Sequence, residues 1–126
     1  MRRKKICFHL GKYLENLENM IPVASLVLLC QNPPVPFGKW EDFDVAVISS
    51  AFEGMPESKR KMFLSDYWEP SPFFPDLNGF TPEEITDFGN PRVREILEKG
   101  ECLKDTGVFY KVRRELTAKK MGKILE

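Results

Sequence analysis

Two aspartates stand two residues apart at the start of an apolar run, in the stretch DFDVAVI. Alternate side chains of a strand point to the same face, so a strand here directs the carboxylates of Asp42 and Asp44 into one small region. Two like charges so close repel each other, and a cation between them relieves the repulsion. Mg²⁺ and Mn²⁺ prefer carboxylate oxygens. We therefore expect Asp42 and Asp44 to be metal ligands; the alternative is an ordinary turn before a strand, where acidic residues are common.

A pair of acids becomes a catalytic metal site only with further ligands. A third carboxylate on a neighbouring strand would complete a site for one or two cations. Two such ions can activate an attacking hydroxyl and stabilise a leaving phosphate. The prediction therefore requires that three acids converge and that none of them is already neutralised by a salt bridge.

The other residue types that support catalysis or metal binding are few. The chain has one histidine, His9, and three cysteines, Cys7, Cys30 and Cys102, which form no CxxC pair. A zinc site and a disulfide scaffold are therefore not favoured, and free thiols in a reducing cytoplasm are the expectation. We interpret His9 as a helix-entry or surface residue rather than a catalytic base.

Length and hydropathy indicate the class of protein. The chain has 126 residues, of which 42% are hydrophobic, and we expect one domain over residues 1–126, with its core at about 10–104 and a basic helix at 105–126. No apolar stretch reaches the roughly 20 residues needed to cross a bilayer. The basic start, MRRKK, is not followed by the apolar core of a secretion signal. We expect a cytoplasmic protein without membrane contact.

The net charge of zero conceals an uneven distribution. Residues 41–88 contain eleven acids and three bases, whereas the tail from residue 108 contains six bases and two acids. The basic tail is either a solvated helix face or a surface for an acidic partner or polyanion. Nucleic acid is not the expected partner, because the tail lacks interleaved aromatic residues and any recognisable nucleic-acid module.

The first half of the chain is predicted to contain a helix and two strands. Apolar residues at helical spacing predict a helix over about residues 8–20, ended by Pro22. Strands are predicted at 24–30 and 43–48, separated by a proline-rich loop. The second strand has no polar alternation after its acidic start, which is typical of a strand covered by helices on both faces.

The next segment is predicted to be a helix followed by a strand. The stretch FEGMPESKRKMFLSDYW at 52–68 begins as a turn and becomes a helix with Met62 and Phe63 inward. The basic residues Lys59, Arg60 and Lys61 in this helix are predicted to lie in solvent. A third strand is expected within residues 73–80.

The last third of the chain contains recognisable helix boundaries. Thr81 and Glu84 predict the start of a helix through a capping box. A helix from Asn90-Pro91 to Gly100 has a capping residue, an N-terminal proline and a terminal glycine. A final helix at about 108–125 is expected to bury Val108, Val112, Leu116 and Ile124. These elements describe a mixed α/β fold of the α+β type, a small mixed sheet with helices packed on it.

The stretch LVLLCQNPPVPFGKWEDFDVAVISSAFEG at 26–54 resembles the core of the minimal nucleotidyltransferases, members of the DNA polymerase beta-like superfamily. In that family an apolar strand ends in Gly-Ser, a loop follows, and Asp-x-Asp opens a second apolar strand. The Gly-Ser positions fall on Cys30 and Gln31, and Asp42 follows Gln31 at the family's spacing. By resemblance, Asp42 and Asp44 bind Mg²⁺ or Mn²⁺ and with it a nucleoside triphosphate.

Two later stretches extend the resemblance to about residues 10–104. The stretch PDLNGFTPEEI is similar to the family's strand with the third carboxylate, which assigns that role to Asp76. The stretch NPRVREILEKGECL resembles the helix and short return strand that commonly close the domain. The resemblance implies the nucleotidyltransferase fold, with Asp42, Asp44 and Asp76 as catalytic residues and metal ligands. It leaves the basic C-terminal helix unexplained.

One departure from the family lies in the turn that binds phosphate. Family members use Gly-Ser there because glycine permits a close backbone approach and the serine hydroxyl binds a phosphate oxygen. Cys30 would crowd that turn, whereas the amide of Gln31 can still donate a hydrogen bond to phosphate. Two hypotheses therefore stand. The chain is an Mg²⁺-dependent enzyme that transfers a nucleoside monophosphate to a protein or small-molecule hydroxyl, or a weakened interaction protein, such as the antitoxin partner of a small helical HEPN-class toxin.

Overall fold

The chain contains four helices and four strands in its described part. The computed structural model describes residues 2–30 and 43–125, and the side chains of 4–29 and 43–122. The predicted loop at 31–41 lies outside these residues. The elements are α1 Arg2–Glu18, β1 Ser25–Cys30, β2 Phe43–Ile48, α2 Glu57–Asp66, β3 Asp76–Phe80, α3 Pro91–Lys99, β4 Glu101–Asp105 and α4 Val108–Leu125.

The four strands form one mixed sheet in the order β3-β2-β1-β4. Strand β1 pairs antiparallel with both β2 and β4, whereas β2 and β3 are parallel. Parallel neighbours need a crossover connection, and α2 lies in the segment that supplies it. Strand β3 lies at one edge of the sheet. Pro75, which has no backbone N–H to donate, directly precedes it.

Helices cover both faces of the sheet, so the core has two parts. On one face, α1 and α2 pack on alternate residues of the strands through a cluster that includes Leu10, Phe43 and Leu64. On the other face, α3 and α4 pack through a cluster that includes Ile96 and Phe109. The apolar residues of β2 are buried on both faces, which confirms the expectation from its unbroken apolar run. The predicted class, a mixed sheet with helices packed on it, is also confirmed.

Two predicted boundaries move for identifiable reasons. Helix α1 begins at Arg2 rather than near residue 8, because Ile6 adds another turn to its buried stripe. The predicted helix at Thr81 is only a 3₁₀ turn, Glu84–Thr86. Its capping box nevertheless forms: the Thr81 N–H donates to Glu84 Oε1 at 2.8 Å, and the Glu84 N–H donates to Thr81 Oγ1 at 3.1 Å.

The predicted orientation of α2 is wrong at two positions. Met62 is 69% exposed instead of buried, and Leu64 provides the inward contact. Arg60, predicted to lie in solvent, is only 9% exposed. Its guanidinium donates to the Met55 carbonyl at 2.7 Å and forms a two-point contact with the Glu84 carboxylate. These contacts compensate the charge of Arg60 and fix α2 to the end of β3.

Helix α4 belongs to the core rather than forming an appendage. Phe109, Val112 and Leu116 are buried against the sheet and α3. Val108 is half-buried, and the side chain of Ile124 lies outside the described part of the chain. Among the described helices, none combines the length and apolarity needed to span a membrane.

Candidate metal site

Asp44 and Asp76 are direct neighbours on parallel strands. In the register of β2 and β3, Asp44 pairs with Asp76 and Ala46 pairs with Asn78. Leu77 packs in the cluster beneath α1 and α2, so the alternating residues Asp76 and Asn78 face the α3 side of the sheet. Asp44 alternates with Phe43 and Val45 of that same cluster and therefore also faces α3. Two of the three predicted acids thus lie side by side on one face.

The Asp44 carboxylate is half-buried and has no ionic partner in the part of the chain that the structure describes. Within the described residues it accepts no hydrogen bond and joins no salt bridge. Burial has the largest effect and raises the pKa of Asp44, and repulsion from Asp76 raises it further. The charge of Arg92 lowers it by less, and the effects of Glu95, which raises it, and Lys61, which lowers it, are smaller still. The local potential at Asp44 is therefore net unfavourable to its negative charge, a condition that a bound cation relieves.

The Asp76 carboxylate, by contrast, contacts cations through both oxygens, so the condition that none of the acids is already in a salt bridge is not met. Lys61 Nζ lies 2.8 Å from Oδ1, and the Arg92 guanidinium lies 3.4 Å from Oδ2. Partial burial raises the pKa of Asp76, but hydrogen bonds from Lys61 and Asn78 and the charges of Lys61 and Arg92 outweigh it, so the pKa is lowered. A carboxylate with a lowered pKa is a weak proton acceptor, which favours binding rather than base catalysis as its role.

Lys61 is held by a small polar cluster at the sheet edge. Its ammonium also donates to Asn78 Oδ1 at 2.9 Å, and the Asn78 amide donates to the Asp76 backbone carbonyl at 3.2 Å. Asn78 is only 5% exposed. Because Asp76 is half exposed, its ion pairs are screened by water and contribute roughly 0–1 kcal/mol each. A cation that binds carboxylate oxygens can therefore displace them.

The remaining predicted site residues are only partly described. Asp42 and Gln31 lie outside the described residues, and of Cys30 only the backbone is described, paired with Phe43 in the β1–β2 ladder. Across residues 2–30 and 43–125, no three histidine, cysteine or acidic side chains form a group that could hold a metal. The described part of the site is therefore a pair of acids. Asp42, which lies outside the described residues, is the predicted third ligand.

Sequence reasoning missed the charged residues around the pair. Lys61 was assigned to solvent, and Arg92 and Glu95 were not singled out. Arg92 and Glu95 lie three apart on α3, which places them on one helix face, but only the strand order shows that this face meets Asp44 and Asp76. The carboxylate oxygens fit a hard divalent cation, and the adjacent Lys61 and Arg92 fit the phosphates of a triphosphate.

A cleft of about 440 Å³ opens beside these residues, within the size range of small-molecule sites. Asn78, Asn90 and Arg92 line it together with three acids, Glu57, Glu84 and Asp87, whereas Asp44, Asp76 and Lys61 do not line it. Asn90 caps α3, accepting a hydrogen bond from the Arg92 N–H at 2.9 Å, so the positive end of that helix is also directed at the cleft. The cleft is therefore next to the acids and contains both donors and acceptors.

Comparison of the chain with family models, with curated proteins and with solved structures finds no match. What the site does is inferred from its own residues and contacts.

Proposed function

We propose that the chain is a metal-dependent nucleotidyltransferase that transfers a nucleoside monophosphate from a triphosphate to a hydroxyl of a protein or small molecule. The single observation that supports this most is the adjacency of Asp44 and Asp76 on paired parallel strands, with Asp44 in no salt bridge among the described residues and with its pKa raised. Asp42, two residues before Asp44, is the proposed third ligand. The free thiols Cys7 and Cys102 fit the cytoplasmic location that we propose with this function.

Each residue has a distinct proposed role. Asp44 and Asp76, with Asp42, hold Mg²⁺ or Mn²⁺, which when bound neutralises charge on the triphosphate and on the leaving pyrophosphate. Lys61 and Arg92 exchange Asp76 for phosphate oxygens, and Arg92, which lines the cleft, directs the triphosphate towards it. The amide of Gln31, the residue after Cys30 in the sequence, is proposed by resemblance to donate a hydrogen bond to phosphate. Catalysis consists mostly of positioning and charge neutralisation.

The test is isothermal titration calorimetry of ATP, GTP, CTP and UTP with and without millimolar Mg²⁺. At least one triphosphate is expected to bind in an Mg²⁺-dependent manner. Asp44→Asn is expected to weaken that binding at least tenfold, or about 1.4 kcal/mol, whereas Asp66→Asn, which changes an exposed acid at the end of α2, leaves it unchanged. Absence of heat with all four nucleotides would overturn the enzymatic function.

A second candidate is an interaction protein with this fold and little or no catalysis, the partner of a small helical protein of the HEPN class. The observation that favours it is the double ion pair on Asp76, whose two oxygens already contact Lys61 and Arg92. The replacement of Gly-Ser by Cys30 and Gln31 points the same way. A neighbouring gene for a short helical protein with an Arg-x-x-x-x-His motif, together with co-purification of the two proteins and no triphosphate binding, would support this candidate over the enzyme.

A further inference from the structure

A groove of about 380 Å³ lies between α3, α4 and the turn before α3, away from the acid pair. Arg94 lines it from α3, Lys119 and Lys120 line it from α4, and the half-buried Phe88 supplies apolar surface beside the buried Leu116. No acidic side chain of the described residues lines it. The groove is thus partly apolar, and all of its charged lining residues are basic.

The bases near this groove differ in whether they already have a partner. Arg113 donates to the carbonyls of Leu97 and Gly100, both at 2.7 Å, and so completes the C-terminal end of α3. Lys120 forms a salt bridge with Glu98. Arg113 stabilises the fold and is not free to bind a ligand, whereas Lys120 would first have to leave an exposed ion pair.

Arg94 and Lys119 are the cations left for a ligand. Arg94 is exposed and makes no side-chain hydrogen bond or salt bridge with any described residue. Lys119 is exposed, and its contact is with the ring of Phe88, 5.7 Å from ammonium to centroid. Glu98, one turn along α3 from Arg94, already pairs with Lys120. The two free cations therefore stand on opposite walls of the groove, one on each helix.

From this arrangement we infer that the α3–α4 groove binds an acidic, amphipathic segment of a partner protein. Carboxylates of the segment would pair with Arg94 and Lys119, and its apolar side chains would lie against the exposed part of Phe88. Clusters of basic residues recognise acidic motifs in this way, and a groove between helices accepts an amphipathic segment along its length. The inference does not depend on metal binding at Asp44 and Asp76, because the groove shares no residue with that site.

The same features argue against a nucleic acid in the groove. Single-stranded nucleic acid is bound through bases stacked on aromatic rings as well as through phosphate contacts. Phe88, the aromatic side chain that lines the groove, is half-buried, and the Lys119 ammonium lies over its ring. The chain as a whole has no net charge, so the long-range attraction that assists polyanion binding is weak.

The test is fluorescence anisotropy of a labelled peptide of about 15 residues with Glu and Leu at helical spacing. Its matched control has Gln in place of every Glu, and a single-stranded oligonucleotide of equal charge is measured in parallel. The native chain is expected to bind the acidic peptide, with affinity falling as salt rises, and to bind the Gln peptide far more weakly. The assay needs neither metal nor nucleotide, so its outcome is separate from that of the nucleotidyl transfer test.

Variants of the groove decide whether binding is specific. The pair Arg94→Gln and Lys119→Gln is expected to weaken peptide binding about tenfold, and the charge reversals Arg94→Glu and Lys119→Glu are expected to abolish it. The matched pair Lys59→Gln and Lys111→Gln, which removes two exposed charges elsewhere, should change it less than about twofold. Thermal unfolding of all variants controls for loss of structure. Equal weakening by both pairs, absence of peptide binding, or groove-dependent binding of the oligonucleotide in preference to the peptide would overturn the inference.

Discussion

Asp44 and Asp76 lie side by side on parallel strands, yet only Asp76 contacts cationic side chains. The two acids are thus in opposite electrostatic states, because the pKa of Asp44 is raised by burial and by Asp76, and the pKa of Asp76 is lowered by its neighbours. Lys61 occupies Oδ1 of Asp76, an oxygen that a metal would need. In the proposed enzyme, cation binding and the Lys61 ion pair therefore compete.

Lys61→Met is the direct test of this competition. Removing the ammonium from Asp76 is expected to raise the affinity for Mn²⁺ alone by roughly two- to fivefold, since an exposed ion pair contributes at most about 1 kcal/mol. The same variant is expected to bind the magnesium complex of a triphosphate more weakly, because the phosphates lose a cation. Mn²⁺ titration followed by electron paramagnetic resonance measures the first effect, and calorimetry measures the second.

Lys59→Met is the matched control for Lys61→Met. Lys59 lies in the same helix, is exposed, and makes no side-chain hydrogen bond or salt bridge with the described residues. Its replacement removes the same charge without touching Asp76, so both affinities should stay unchanged. If Lys61→Met leaves the Mn²⁺ affinity at the native value, the Asp76 carboxylate is not a metal ligand.

Asp44→Asn is expected to stabilise the metal-free protein at neutral pH. A folded-state pKa above the ordinary value of 3.8 means that the ionised carboxylate opposes folding. As pH falls from the raised folded pKa towards 3.8, Asp44 becomes protonated in the folded state and the native chain gains stability relative to the variant. The stability advantage of Asp44→Asn should therefore disappear below pH 3.8. The measurement is the melting temperature in chelator at neutral and acidic pH. Added Mg²⁺ or Mn²⁺ should raise the melting temperature of the native chain and leave that of Asp44→Asn unchanged.

The sequence predicted the strands better than the surroundings of the site. Strands β1 and β2 were located nearly to the residue because a strand buried on both faces leaves an unbroken apolar run. Asp44 followed from the spacing of the two aspartates and Asp76 from a resemblance, but their adjacency depends on the parallel pairing of β2 with β3. Lys61 reaches Asp76 because β3 is an edge strand, and the strand order cannot be read from local apolar periodicity.

Arg60 shows the same limit of local patterns. It stands between two lysines in a polar stretch, which is typical of a solvated helix face. Its burial results from Glu84, 24 residues along the chain, whose carboxylate lies 2.5 Å from the guanidinium. Glu84 was identified only as a capping residue, and it performs both roles, capping Thr81 and binding Arg60. The sequence near Glu84 shows its capping partner Thr81 but not Arg60, so the second role of Glu84 could not be predicted from local spacing.

Arg60→Met is therefore expected to destabilise the protein by roughly 2–3 kcal/mol. The change leaves the carbonyls of Met55 and Gly79 without their donor. The loss is below that of a fully buried ion pair because the Glu84 side chain is 45% exposed and regains water. Urea unfolding measures it, and Lys59→Met, exposed in the same helix, should change the free energy of unfolding by less than about 0.5 kcal/mol. Equal effects of the two changes would contradict the structural role of Arg60.

Asp105 fixes the start of α4 to the sheet. Its Oδ1 accepts hydrogen bonds from the Ser25 hydroxyl at 2.8 Å and from the N–H groups of Gly107 and Phe109 at 3.0 Å, and its Oδ2 accepts from the Tyr110 N–H at 3.1 Å. Asp105→Asn replaces one acceptor oxygen by a donor and removes the charge that complements the helix dipole. We expect a loss of about 1 kcal/mol at neutral pH.

The pH dependence of Asp105→Asn separates the charge from the packing. Partial burial raises the pKa of Asp105, but the hydrogen bonds from Ser25, Phe109, Tyr110 and Gly107 outweigh it and lower the pKa below its ordinary value of 3.8. A lowered folded pKa contributes stability above 3.8 that is lost as pH falls through the folded pKa. The difference between native chain and variant, measured by urea unfolding, should therefore shrink below pH 3.8. The control Asp66→Asn, which removes an acid from the negative end of α2, should instead leave stability unchanged or raise it slightly. If the stability difference between the native chain and Asp105→Asn persists in acid, the shape of the side chain rather than its charge fixes α4.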